Sequence, residues 1–152
     1  MIPERRVSAS SVVCREGKVL LVRHTYGAAK GKYLIPGGFC EEGEMPEQAA
    51  EREVYEETGL TVSSGSLIAV RFTTDEVWCI FEAEYVSGEP QSDGQENDSA
   101  IFWDIEELLA SQNVVETTKE LIRNLIAPGK QRLRKSSFIN KKYNEDTWQL
   151  YL

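Results

Sequence analysis

Residues 38–60 read GFCEEGEMPEQAAEREVYEETGL. The second half of this stretch, 46–58, carries the clearest helix signal in the chain. Pro46 suits the first helical position, where no backbone donor is needed, and Gly59 suits the residue just past the last turn. At about 100° per residue, Glu53, Glu56 and Glu57 fall on one face, three and four positions apart. Ala49 and Ala50 project on the same side one turn earlier, whereas Glu47, Glu51 and Tyr55 point elsewhere. Three like charges on one face repel by tenths of a kcal/mol per pair, a cost that disappears if a divalent cation lies among them. Hard oxygen ligands suit Mg2+ or Mn2+, and the small alanines are expected to leave room for metal-bound water and substrate. A plainer reading makes these glutamates good helix formers on a solvated face. The flanking residues decide between the two.

With those flanks, the segment resembles the Nudix box, G-x5-E-x7-R-E-U-x-E-E-x-G-U with U a bulky aliphatic residue. Gly38, Glu44, Arg52, Glu53, Val54, Glu56, Glu57, Gly59 and Leu60 fill every specified position. The resemblance implies that Glu53, Glu56 and Glu57 are metal ligands, and that one of them, or a carboxylate from the loop before Trp103, helps to deprotonate an attacking water. It implies that Gly37 and Gly38 let the backbone approach the metal, with a Gly37 carbonyl as an extra ligand. Glu44 and Arg52 would pair as structural supports fixing the loop to the helix. Such a site suits water attack on phosphorus, with Mg2+ (or Mn2+ in its place) neutralising charge and lowering the pKa of bound water. A positioned glutamate then takes the proton.

Upstream of this segment, residues 7–13 and 18–24 read as strands joined by a turn at Arg15-Glu16-Gly17, a hairpin. A Gly/Lys loop follows at 26–32, then a short apolar run, Tyr33-Leu34-Ile35, ended by an expected turn at Pro36-Gly37-Gly38. Downstream, 67–73 and 77–86 read as strands, 101–104 as a short one, and 105–111 and 117–127 as helices stopped by Pro128-Gly129. Mixed strands with one early helix and later ones predict an α/β or α+β sandwich. The resemblance sharpens this to an α/β/α sandwich around a mixed sheet, and the Trp103-Asp104 step before a helix also fits the family.

Other candidates carry two readings each. Arg23, at a strand end, either clamps a phosphate oxygen or is simply solvated. Lys30 and Lys32 lie in a loop that either closes over phosphates or faces water. Glu96 and Asp98 both qualify as the extra loop carboxylate. Phe39 and Trp78 either stack on a base or fill the core.

Composition bounds the function. The 152 residues carry a net charge of −8, split unevenly. Residues 1–127 hold 11 Lys and Arg against 23 Asp and Glu, and residues 128–152 hold 6 against 2. An acidic body argues against DNA binding and suits a site that gathers cations ahead of anionic phosphates. Cys14, Cys40 and Cys79 form no C-x-x-C pair, which points to reduced thiols rather than disulfides or zinc. His24 is the only histidine. No apolar run has the length of a membrane span and no secretory signal opens the chain, so a cytoplasmic location is expected. Residues 1–129 are expected to form the catalytic domain. Residues 130–152, basic and then aromatic, form an extension that packs on the same domain, pairs with a second subunit in a homodimer, or adds basic groups to the site.

The expected substrate is a small nucleotide, a nucleoside diphosphate linked to a further group. A nucleoside triphosphate, as in MutT-like enzymes, is the first choice, and ADP-ribose or another nucleotide sugar the alternative. The proline of many ADP-ribose enzymes is missing from 73–86, and the SQPWPFPxS motif of the NADH group is absent. A non-catalytic nucleotide-binding domain is the third reading. Against it stands the full set of box carboxylates.

Overall fold

The structure, a computed structural model, describes residues 4–139, 141–144 and 146–152. The elements run β1 (Arg6–Arg15), β2 (Lys18–His24), β3 (Tyr33–Leu34), β4 (Gly37–Phe39), α1 (Pro46–Thr58), β5 (Thr61–Phe72), β6 (Glu76–Ser87), β7 (Asn97–Asp104), α2 (Ile105–Ala110) and α3 (Glu116–Ile126). One mixed sheet has the path β3-β2-β1-β6-β5, with β4 paired to β1 and β7 to β2. β1 lies parallel to β6 and antiparallel to β2 and β4. It shares one edge between two partners, β4 beside Ser8–Ser10 and β2 beside Cys14–Arg15. The expected hairpin is present, but its turn is only Glu16 and Gly17, with φ of 52° and 75°. Two successive positive φ values match the strand twist that a tight hairpin needs.

Alternation along β1 assigns the layers. Ala9 and Val13 face α1, where Ala49, Ala50, Val54 and Leu60 pack. Val12 faces the other way and packs with Leu108, Ile122 and Leu125 of α2 and α3. Period-two alternation thus buries both faces, and the result is an α/β/α sandwich. The α2–α3 layer covers Val12, whereas Ser8 and Ser10, on the same face of β1, line an open cleft.

Several expectations need correction. Residues 36–38 do not form a turn: Gly37 and Gly38 open β4 and pair with Ser10 and Ala9. The alanines of α1 leave no room for water, because Ala49 and Ala50 are fully buried against Ala9 and Phe81. Their small side chains let the helix sit close on the sheet instead. β5 starts at Thr61 rather than 67, although TVSSGS has poor strand propensity. Pairing with β6 and a bond from the Ser64 backbone N–H to Glu51 (2.7 Å) hold it there, so tertiary context overrides local preference. β7 likewise begins at Asn97, where it pairs with His24 of β2.

The C-terminal extension folds back on the domain. Leu133 exchanges both backbone bonds with Leu67 of β5, the last strand on the sheet path. Arg134 and Ser136 pair with Leu152 and Leu150. Lys135, Gln149 and Tyr151 converge on Glu47 of α1, and the Tyr151 ring lies 5.8 Å from that of Phe81. An exposed sheet edge is thereby occupied.

Candidate active site

The C-terminal half of α1 faces the cleft. Gly59, left-handed at φ 76°, stops the helix and returns its N–H to the Tyr55 carbonyl. The Gln48 side chain accepts from the Met45 N–H at the other end. On this frame the three glutamates differ sharply. The Glu56 side chain is 54% exposed, that of Glu53 12%, and Glu57 as a residue only 3%. Glu57 Oε2 is buried with no partner, and the nearby Gly37 backbone favours the charged form of the carboxyl. Burial, reinforced by the nearby charges of Glu53, Glu96 and Asp93, pushes the Glu57 carboxyl up to about 9. Glu53 is also raised by burial, against the opposing pull of Arg52.

Arg52 ties the segment together. Its Nε and Nη2 hold Glu44 at 2.7 and 3.0 Å, and Nη2 also donates to the Phe39 carbonyl. Nη1 lies 3.0 Å from both Glu53 Oε1 and Glu56 Oε2. The bond to Arg52 holds the Glu44 carboxyl below the usual range. Among the described residues, no three His, Cys, Asp or Glu side chains converge on one point as a finished cage. A guanidinium stands between Glu53 and Glu56 and supplies the countercharge there.

The glycines are required here by close approach, not by unusual φ. A Cβ on Gly38 would lie 2.3 Å from Glu53 Oε1. One on Gly37 would lie 1.8 Å from Ser10 Oγ and 2.5 Å from the Ala9 carbonyl.

A cleft of about 470 Å3 runs from Glu53, Gly38 and Glu96 to Trp78, Arg71 and Glu76. A second opening of about 320 Å3 is lined by Glu53, Glu56, Glu57, Asp93, Gln95 and Glu96. The two share Glu53 and Glu96. The structure separates the two loop carboxylates. Asp98 pairs with Arg23 at 2.7 Å, while Glu96 lines both openings. Arg23 is thus engaged by Asp98 and does not line the cleft. Lys30 and Lys32 are exposed and away from it.

Phe39 and Trp78 both line the cleft. The Arg6 guanidinium sits 3.3 Å over the Phe39 ring, and Trp78 donates from Nε1 to Ser10 Oγ at 2.9 Å. The far wall holds residues that the sequence does not single out. Glu76 accepts from Ser8 and Arg71, whose guanidinium lies 4.9 Å over Trp78. His24 and Tyr26, stacked at 5.1 Å, flank the mouth. Ser8 and Ser10, on one face of a β1 that is buried through its middle, were the available signal.

The donor set tests whether a cation fits. It is all carboxylate and backbone oxygen, with carboxyls raised by burial and mutual repulsion and one buried oxygen unpartnered. That is the environment a hard divalent ion relieves. A family model described as NUDIX domain matches residues 4–125. The chain belongs to the Nudix family. An ADP-ribose pyrophosphatase of Methanocaldococcus jannaschii is 32% identical to this Nudix chain over 108 residues, covering 67% of it and 63% of that protein. The NAD-capped RNA hydrolase NudC of Vibrio atlanticus is 31% identical over 121 residues, covering 75% of the chain and 43% of that protein. The chain therefore spans less than two thirds of either relative. The Nudix fold recurs in solved structures: a NUDIX hydrolase from Nitrosomonas europaea (TM-score 0.72, 24% identity, 79% of this chain and 69% of that one) and a MutT NUDIX hydrolase from Burkholderia pseudomallei (TM-score 0.71, 22% identity, 80% and 98%). No helix among the described residues is long and apolar enough to cross a membrane.

Proposed function

We propose that this Nudix chain is a pyrophosphohydrolase that uses Mg2+, or Mn2+ in its place, to cleave a nucleoside diphosphate linked to a further moiety. The observation that carries the reading is Glu57: a carboxyl almost wholly buried, with one oxygen unpartnered, beside Glu53 and Glu96. A buried carboxyl without a partner is costly in a purely structural role. Glu53, Glu56 and Glu57 would hold the cation, with the Gly37 carbonyl and Glu96 as further oxygens. A bound divalent cation supplies charge neutralisation at phosphorus and a lowered pKa for the attacking water.

The protein's own groups do the rest. Glu53 or Glu96, both at the junction of the two openings, accepts the proton of the attacking water. Gly37 and Gly38 let β4 pack directly on Ser10 and Glu53, which holds the Glu53 carboxylate at the cleft wall. Arg52 fixes Glu53 and keeps the loop at Glu44 on the helix. Trp78 and Phe39 offer flat apolar faces toward the nucleoside.

Among substrates, nucleotides carrying a second sugar or nucleoside are favoured over nucleoside triphosphates. The supporting observation is the pair of relatives above 30% identity, named for ADP-ribose and for NAD-capped RNA. The test is phosphate release from a panel of ADP-ribose, NAD-type dinucleotides, nucleotide sugars and nucleoside triphosphates. Each reaction is stopped by heat and excess Mg2+ restored before alkaline phosphatase (for triphosphates, inorganic pyrophosphatase) liberates phosphate, because these coupling enzymes need metal themselves. Turnover should appear with millimolar Mg2+, stop with EDTA and return with fresh metal. Robust turnover in metal-free buffer would refute the carboxylate site. A triphosphate turned over best would reverse the order of substrates.

A further inference from the structure

We infer that Asn97 is a positioning residue that sets the metal affinity of the site by clasping the Glu96 loop to the end of α1; this rests on the metal-dependent reading above. Asn97 is 1% exposed, although it opens β7 directly after an exposed polar loop. Its Nδ2 donates to the backbone carbonyl of Glu57 at 2.8 Å, one of the last helix carbonyls, which α1 itself leaves unbonded. Its backbone N–H donates to Asp93 Oδ1 (3.0 Å), and its carbonyl accepts from Ser92 Oγ (2.8 Å). Asp93 Oδ1 also accepts from the Gln95 N–H (2.8 Å), so residues 92–97 close on themselves around this one side chain. Glu96, the adjacent residue, is further pinned by its carbonyl, which accepts from the Thr25 N–H and hydroxyl.

The burial is hard to explain as packing alone. Asn97 Oδ1 has no partner, and an unsatisfied buried amide oxygen is costly. The amide's donor end joins the residue after Glu96 to the backbone of Glu57. The two carboxylates come from segments about forty residues apart in sequence; this side-chain bond ties them beside Glu96 itself, while a backbone bond from the Gln91 N–H to the Thr58 carbonyl (2.8 Å) anchors only the start of the loop. Asn97 touches no reacting atom, so it acts through the placement of Glu96 and Glu57. Residues that orient metal ligands in this way typically shift affinity by roughly 10- to 100-fold when removed.

The experiment titrates Mn2+ into the full chain, reading free metal by electron paramagnetic resonance, in wild type, Asn97→Ala, Asn97→Asp, Ser92→Ala, Glu96→Gln and Asn97→Ala/Glu96→Gln. Asn97→Asp keeps the shape and removes the donor. Ser92→Ala loosens the same clasp from outside the core and stays informative if Asn97 variants fold poorly. Both Asn97 variants should weaken Mn2+ about tenfold or more, and Ser92→Ala by less. Once metal saturates, KM should change little. The double variant should lose less than the sum of the two singles, because one change removes the Glu96 charge and the other its placement. A merely structural asparagine would lower the melting temperature and leave the folded protein's Mn2+ affinity unchanged. That result, or strictly additive losses in the double variant, would overturn the inference. Glu57→Gln is the control. If it loses Mn2+ while the Asn97 and Ser92 variants do not, only the clasp is refuted. If it binds as wild type, the metal reading falls and the clasp falls with it.

Discussion

Replacing Glu57 by glutamine should reverse the order of stability of wild type and variant according to whether metal is present. The folded chain holds the Glu57 proton up to about pH 9, whereas an unfolded glutamate loses it near ~4.3. Between those values the folded state binds the extra proton, so stability is greatest at the acid end and falls as pH rises. The slope is at most about 1.4 kcal/mol per pH unit, reaching as much as about 4 kcal/mol by pH 7. Glutamine cannot ionise and has no such slope. It does bring two amide hydrogens to a place where Oε2 lacks a partner, a fixed penalty of about 1–3 kcal/mol. The readout is therefore the difference in melting temperature between the two proteins, followed from pH 5 to 8.5 in EDTA. At about 2–4 °C per kcal/mol for a chain of this size, that difference should move by up to roughly 10–20 °C in favour of the variant. Adding Mg2+ should then raise the wild type by mass action and leave Glu57→Gln unmoved, with turnover lowered at least about a hundredfold. Parallel pH profiles in EDTA would refute the assignment of a raised, buried carboxyl.

Arg52→Ala should cost about 2–4 kcal/mol in urea unfolding and also reduce turnover, because it leaves the half-buried Glu44 without its two bonds and frees Glu53. Since Arg52 holds Glu44 below its ordinary range, the wild-type advantage should be present at neutral pH and fade as pH falls through the acid region. Gly37→Ala should destabilise more than Gly38→Ala, by about 3 kcal/mol or more against about 1–2. Its Cβ meets the Ala9 backbone, which cannot swing aside, while that of Gly38 meets only the end of the Glu53 side chain. Equal melting temperatures would refute this, and Gly38→Ala should show its damage in metal response instead. Deletion after Gly129 uncovers the β5 edge and the Phe81 face. It should lower the melting temperature or solubility while leaving metal-dependent turnover to whatever folds, and light scattering should report the change in association. An unchanged melting temperature, mass and rate would make the extension idle.

Much of the fold was legible because the signals are local. Pro46 and Gly59 bracket α1, the apolar alternation of KVLLVRH marks β2, and Asp104 accepts from two backbone N–H groups at the start of α2. Where reading failed, partners decided. TVSSGS became strand because β6 and Glu51 satisfy its backbone, and Gly37–Gly38 became strand because β1 offers an edge and only glycine fits beside Ser10 and Glu53. Local spacing also put Glu53, Glu56 and Glu57 on one side of α1, and the family resemblance implied the pairing of Arg52 with Glu44 across eight residues.

What spacing cannot carry is depth. Helical periodicity gives each glutamate a direction but not what lies in that direction. Glu57 is sealed and Glu56 open although both border the same opening with Asp93, Gln95 and Glu96. The choice of Glu96 over Asp98 turned on Arg23, seventy-five residues from Asp98. The cleft's far wall, Arg71 and Glu76 against Ser8, joins β1 to the β5–β6 hairpin. Side-chain type and period are properties of neighbours along the chain, so the sequence alone determined the family, the helix and its acids. Burial, electrostatic coupling and the company each acid keeps depend on segments far apart in sequence, and those only the tertiary structure decided.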